Sequence, residues 1–254
     1  MAETTTAFLD ECADLDRLVA DLPDEEWARD TPARGWTIAH QVAHLAWTDE
    51  VAYLSATDPQ AFQVLVTEAM QDPLGYVDKQ SEAGAALPPA ELLARWRQGR
   101  QRLAHALDAL DSGTMIAWFG PPMKPRSMAT ARLMETWAHG QDVADALGVS
   151  RPATGRLHDI CHLGVRTRDF AYALNGREVP PEEFRVELAA PGGEVWAWGP
   201  SEATSRVTGS AEDFCLVVTQ RRDAADTGLR STGEASTWLT FAQAFAGAPR
   251  GVAR

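Results

Sequence analysis

The sequence predicts an α+β protein in two parts. Three observations carry this. Up to about residue 148, apolar residues recur at helical spacing in four long stretches. Val149–Thr154, with Pro152 in it, then interrupts the pattern. Beyond one further helical stretch the apolar period falls to two, and Gly/Pro turns appear. The expected organisation is a helical bundle over residues 1–150 and a smaller α+β domain with an antiparallel sheet over residues 151–254.

Taken in order, Phe8, Leu9, Cys12, Leu15, Leu18, Val19 and Leu22 mark a first helix that Pro23 ends. After a polar connection, Trp36 and Thr37 read as a hydrophobic staple and N-cap with His40 one turn in. The helix they open runs over about Ile38–Ser55, and a shorter one is expected over Pro59–Met70. Residues 72–88, with Pro73, Gly75, Gly84 and Pro88, read as a loop. Pro88-Pro89 opens a helix to about Leu110. Its Arg95, Arg97, Arg100 and Arg102 are expected on a solvated face. Residues 112–126 form a second Gly/Pro-rich loop with Trp118 and Phe119 at its tip. Ser127 is the expected cap of a helix over Met128–Gly148, with Gly148 as its stop.

In the second part a helix is expected over Gly155–Leu174, ended by Asn175-Gly176. Strands follow at Phe184–Leu188 and Val195–Trp198, joined through Pro191-Gly192-Gly193, and a third at Ser205–Thr208. Ser210–Thr219 and Trp238–Phe245 read as helices.

The net charge is −13, and nearly all of it falls in residues 1–150, with 23 acidic and 11 basic side chains. Such a surface repels phosphate backbones, so no nucleic-acid partner is expected. The opening stretch MAETTTAFLDE lacks a basic patch followed by an apolar run, so no signal peptide is expected; with no apolar run long enough to span a bilayer, the expected setting is cytoplasmic, with no membrane partner. The three widely spaced cysteines, Cys12, Cys161 and Cys215, form neither a disulfide framework nor a thiolate zinc pattern.

The chemistry-bearing feature is the helix Met128–Gly148. Glu135 and His139 lie four residues apart, so a carboxylate and an imidazole project from one face, one turn apart. These are two of the three protein ligands of a catalytic zinc-type site. A third must come from another helix facing the core. His44, flanked by Val42 and Leu45, is the choice; His40, one turn earlier, is the rival ligand or a supporting group. Asp49 and Glu50 are expected to be solvated.

Gly35-Trp-Thr-Ile-Ala-His-Gln-Val-Ala-His-Leu-Ala46, followed by Arg132-Leu-Met-Glu-Thr-Trp-Ala-His-Gly-Gln-Asp142, resembles the mycothiol-dependent maleylpyruvate isomerase family, within the wider DinB-like metal-binding bundles. The resemblance covers residues 1–148 and extends more weakly into a C-terminal domain that is sterol-carrier-like in that family. It implies metal ligands at His44, Glu135 and His139. Val207–Arg221 is similar to the family's strand-then-helix segment ending in Thr-Gly-Arg, with Gln220 in place of the glycine. Arg221, with Arg222 beside it, thus matches the family's substrate-binding arginine; a helix-end pair favourable to the dipole is the other reading. The segments Pro191–Pro200 and Phe241–Arg254 look closer to uncharacterised actinobacterial members than to the isomerase itself.

The function this resemblance implies is a metal-dependent isomerase or S-transferase. Its cofactor would be a divalent ion such as zinc, and its co-substrate the low-molecular-weight thiol mycothiol. It would act on a small electrophilic, carboxylate-bearing metabolite in a cleft between the two domains. Arg132, one turn before Glu135, would orient that carboxylate or a substrate anion. Two alternatives stand beside it. One is a metal-dependent hydrolase or Lewis-acid enzyme that uses no thiol. The other is a non-catalytic metal-binding module, which a fourth protein ligand such as His40 would favour.

Overall fold

The computed structural model describes residues 2–245 and 247. Of the segment Phe241–Arg254, residues 246 and 248–254 therefore lie outside the described residues. The chain divides into two compact units, Met1–Arg151 and Pro152–Arg254.

The first unit is helical. Its long members are α1 (Ala2–Val19), α2 (Ile38–Thr57), α5 (Pro89–Ala109) and α6 (Pro125–Leu147), with the shorter α3 (Pro59–Ala69) and α4 (Tyr76–Ala85) between them. Helix α2 packs mainly on α5, and α1 on α6, while α2 also meets α6. The core between them holds Phe8, Leu15, Ile38, Leu45, Trp96, Leu103, Leu107 and Met128, all essentially inaccessible to solvent. This is the bundle that the apolar spacing predicts.

Three local expectations are corrected here. The stretch 72–88 is not a loop, because α4 occupies most of it. Gly84 reads as a helix breaker but is a contact residue: a Cβ there would stand 2.7 Å from Ala43 Cβ, so its absence lets α4 lie against α2. Ser127 does not cap α6; the helix starts two residues earlier at Pro125, which needs no amide partner in the first turn. The arginines of α5 are not all solvated, since Arg97 and Arg100 both bind Asp16 of α1 and Arg100 is buried. Gly148 does end α6, in the left-handed conformation (φ 67°).

The second unit holds α7 (Leu157–Arg166), α8 (Arg168–Leu174), β1 (Arg185–Ala189), β2 (Val195–Trp198), β3 (Arg206–Ser210), α9 (Ala211–Val218), β4 (Arg230–Thr232) and α10 (Glu234–Leu239). The helix expected over Gly155–Leu174 is two helices. The chain turns at Thr167, whose hydroxyl donates to the carbonyls of Leu163 and Gly164. The sheet order is β2-β1-β3-β4. It is mixed rather than wholly antiparallel, because β3 returns to lie parallel to β1, with Val186 opposite Val207. The last expected helix is displaced: α10 ends at Leu239, where Trp238–Phe245 had been expected. Ser210 caps α9, its hydroxyl accepting from the Asp213 amide at 3.0 Å. No helix among the described residues is long and apolar enough to cross a membrane.

Candidate metal centre

The first unit gathers His44, Glu135 and His139. Each offers one ligand atom, and these atoms all lie within 4.8 Å of one another. His44 comes from α2, in a run that buries Ile38, Val42 and Leu45 around it. Glu135 and His139 come from one face of α6, flanked by buried Leu133 and Ala138. Helical periodicity thus sends all three side chains into the groove where α2 and α6 meet.

The spacing suits a metal ion. His139 Nε2 lies 3.1 Å from Glu135 Oε2, and His44 Nε2 lies 3.6 Å from the same oxygen. Donors about 2.0–2.2 Å from a tetrahedral ion stand about 3.3–3.6 Å apart. Two imidazoles and a carboxylate form a donor set that zinc accepts. His44 Nδ1 is buried without a hydrogen-bond partner among the described residues. Burial by itself would raise the Glu135 carboxyl; hydrogen bonds from His139 and His44, with their charge, outweigh it and hold the group well below the usual carboxylate range. A site that already favours the anion beside two ring nitrogens fits a cation.

The surroundings fix these side chains. His139 Nδ1 lies 2.5 Å from Gln41 Oε1, and Gln41 is fully buried. The Trp36 ring stacks on His139 at 5.8 Å between centroids and stands 5.3 Å from His44. Glu135 is the most exposed of the three, with 22% of its side chain accessible, against 11% for His44 and 10% for His139. The cluster is therefore reached by solvent on the carboxylate side.

His40 is not part of this group. As the N3 residue of α2 it completes a capping box: the Thr37 amide donates to Nδ1 at 3.2 Å. Its Nε2 faces Glu82 Oε2 at 2.8 Å. Both ring nitrogens are thereby engaged.

Arg132 sits near the cluster but is committed elsewhere. Its Nε donates to Asp49 Oδ1 at 2.9 Å and its Nη2 to Thr48 Oγ1 at 2.6 Å. Thr48 Oγ1 in turn donates to the His44 carbonyl at 2.7 Å. Asp49, expected in solvent, is fully buried. Burial pushes its carboxyl up, and the charge and hydrogen bond of Arg132 draw it only part of the way back. Sequence reasoning missed Gln41, Thr48 and Asp49 as supports of the site. The one available signal was that polar residues recur on an otherwise apolar helix.

Arg221 and Arg222 belong to the second unit and follow α9. Arg221 Nη1 donates to the Thr219 carbonyl at 2.6 Å, and Arg222 Nη1 to the Arg221 carbonyl at 2.8 Å. Gln220 between helix and arginines has φ 61°, the left-handed conformation that favours glycine. That accounts physically for a glycine in the family's Thr-Gly-Arg. Here the Gln220 side chain gains a partner instead, donating to Gln243 Oε1 at 3.0 Å.

Comparison with known proteins bears on the fold and the family. Two uncharacterized proteins from two strains of Mycobacterium tuberculosis are each 59% identical over 240 residues, which covers 94% of this chain and 93% of theirs. In fold the chain is similar to the crystal structure of the mycothiol-dependent maleylpyruvate isomerase, with a TM-score of 0.60, 17% identity and 90% of this chain covered against 91% of that one. A mutant of that isomerase gives a TM-score of 0.62 with 16% identity, over 89% and 91% of the two chains. Residues 180–230 match a family described as wyosine base formation. Residues 8–144, more than half the chain, match the mycothiol maleylpyruvate isomerase N-terminal domain, and the protein belongs to that family.

Proposed function

We propose that this protein is a metal-dependent enzyme that uses a low-molecular-weight thiol, an isomerase or S-transferase acting on a small electrophilic metabolite bearing a carboxylate. The observation that carries the reading is the His44, Glu135, His139 cluster, two buried imidazoles and a partly exposed carboxylate whose ligand atoms lie within 4.8 Å of one another, inside a bundle of this family. A divalent ion held there, zinc by its donor set, would lower the pKa of a bound thiol so that it adds as a thiolate to an activated double bond, giving isomerisation if elimination follows and transfer if it does not. His44, Glu135 and His139 would hold the ion. Trp36 covers the two imidazoles and keeps water from one side. Arg132 is a positioning residue that acts through Asp49 and Thr48 on the helix carrying His44. Arg221, with Arg222 next to it, is the proposed partner of the substrate carboxylate. Family membership and the likeness in fold support mycothiol as the thiol.

The test is direct. Purified protein is expected to contain about one divalent ion per chain, and His139→Ala to lose most of it. Mycothiol is expected to raise the melting temperature only of the metal-loaded protein. Retention of the ion by His139→Ala overturns the ligand assignment; a metal-loaded protein indifferent to mycothiol overturns the thiol.

A further inference from the structure

A chain of hydrogen bonds runs from the backbone to the metal centre, and each proton in it has one possible place. Thr31 Oγ1 lies 2.7 Å from the Trp36 carbonyl, which can only accept, so the hydroxyl proton points there. The same oxygen lies 2.8 Å from the Gln41 amide and must accept from it, so Gln41 turns Nε2 toward Thr31. Gln41 Oε1 then faces His139 Nδ1 at 2.5 Å and can only accept. His139 Nδ1 must carry a proton, and Asp142 Oδ2, 3.9 Å away, favours the same arrangement. That leaves Nε2, 3.1 Å from Glu135, as the ring nitrogen that would ligate, an ion there taking the place of the proton that Nε2 shares with the carboxylate.

We infer that Gln41, set by Thr31 and the Trp36 carbonyl, is the positioning residue that fixes the tautomer and ring orientation of His139 for metal binding. The inference rests on the metal reading above and deepens it. Gln41 is fully buried, so the control passes along the hydrogen-bonded chain and not through solvent. An acceptor behind a ligating histidine is commonly worth about 10–100-fold in metal affinity. A neutral amide does this without adding a second negative charge beside Glu135.

The experiment measures zinc affinity by competition with a chromophoric chelator, together with the ring nitrogen-15 shifts of His139 in metal-free protein at mildly alkaline pH. Gln41→Met keeps the side-chain volume and removes the acceptor; it is expected to weaken zinc binding by about 10–100-fold and to populate the Nε2–H tautomer. Thr31→Val is expected to act in the same direction and by less, since it frees the amide to turn over. Gln41→Glu keeps an acceptor opposite Nδ1 and is expected to retain binding and the Nδ1–H tautomer. Wild-type affinity and tautomer in both Gln41→Met and Thr31→Val overturn the inference while leaving the metal site standing. A wild-type protein that binds no zinc overturns the metal reading and this inference with it.

Discussion

Arg132 Nε donates to Asp49 Oδ1 at 2.9 Å in a place that water does not reach, with Asp49 fully buried and Arg132 2% exposed. The pair joins α6 to α2 beside the cluster, Arg132 three residues before Glu135 and Asp49 five after His44. Removing one partner strands a buried charge. Arg132→Met is therefore expected to cost about 3–5 kcal/mol in chemical denaturation, and the double change Arg132→Met with Asp49→Leu to recover most of that loss. Equal losses in the single and double variants would show that the ion pair is not what the single change breaks.

Asp16 gives a pH signature. It accepts from Arg97 at 2.8 Å and from Arg100 at 2.6 Å, both on α5. The Arg97 hydrogen bond, helped by Arg100 and opposed by burial, holds its carboxyl below the usual range. Its folded-state pKa lies below the unfolded value of about 3.9, so its contribution is present in full above that value and is lost as pH falls through the folded one. Asp16→Asn is expected to cost about 1 kcal/mol at neutral pH, discounted because Arg97 is half exposed. The difference from wild type should vanish in acid; a loss that is the same at both ends of the pH range would rule the charge out.

Gly84→Ala tests the seat of α4. The added methyl meets Ala43, the neighbour of His44, at 2.7 Å. Overpacking of this kind costs about 1–3 kcal/mol. Thermal unfolding should show the loss despite the better helix propensity of alanine, and Gly84→Ser should behave alike. A stabilised Gly84→Ala variant would mean that α4 does not lie against α2.

Gln220→Gly separates backbone from function at the arginine pair. Relief of the left-handed backbone stabilises by up to about 1–2 kcal/mol, less what the Gln243 hydrogen bond gives. Metal content should not change. On the proposed function, Arg221→Ala should raise KM for a carboxylate substrate with little effect on stability or metal content. Loss of stability with unchanged KM would make Arg221 a helix-end residue only.

Much of the bundle and of the His44, Glu135, His139 cluster could be read from the sequence, because both rest on helical repetition. Glu135 and His139 share a face by spacing alone; the apolar run around His44 turns that helix face inward but leaves His40, one turn earlier, as a rival. What escaped depends on partners far along the chain. Gly84 looks like punctuation until Ala43 is set opposite it. Asp49 looks solvated until Arg132, from another helix, reaches it. Gln41 is an amide among alanines and valines, and nothing local says that its oxygen meets a histidine 98 residues away. In the second unit, alternation marks β1 and β3 as strands but says nothing of their parallel pairing.

Glu135 and His139 stand on α6 and His44 on α2, so an ion shared among them would also be a cross-link. It would close the chain between His44 and Glu135, ninety-one positions apart, and α3, α4 and α5 all lie inside that loop. For a covalent tie, closing a loop of this order removes about 4–5 kcal/mol of chain entropy from the opened state. The ion would then do more than present a reactive group: it would suppress opening of the whole bundle, slowing amide exchange in helices that never touch it.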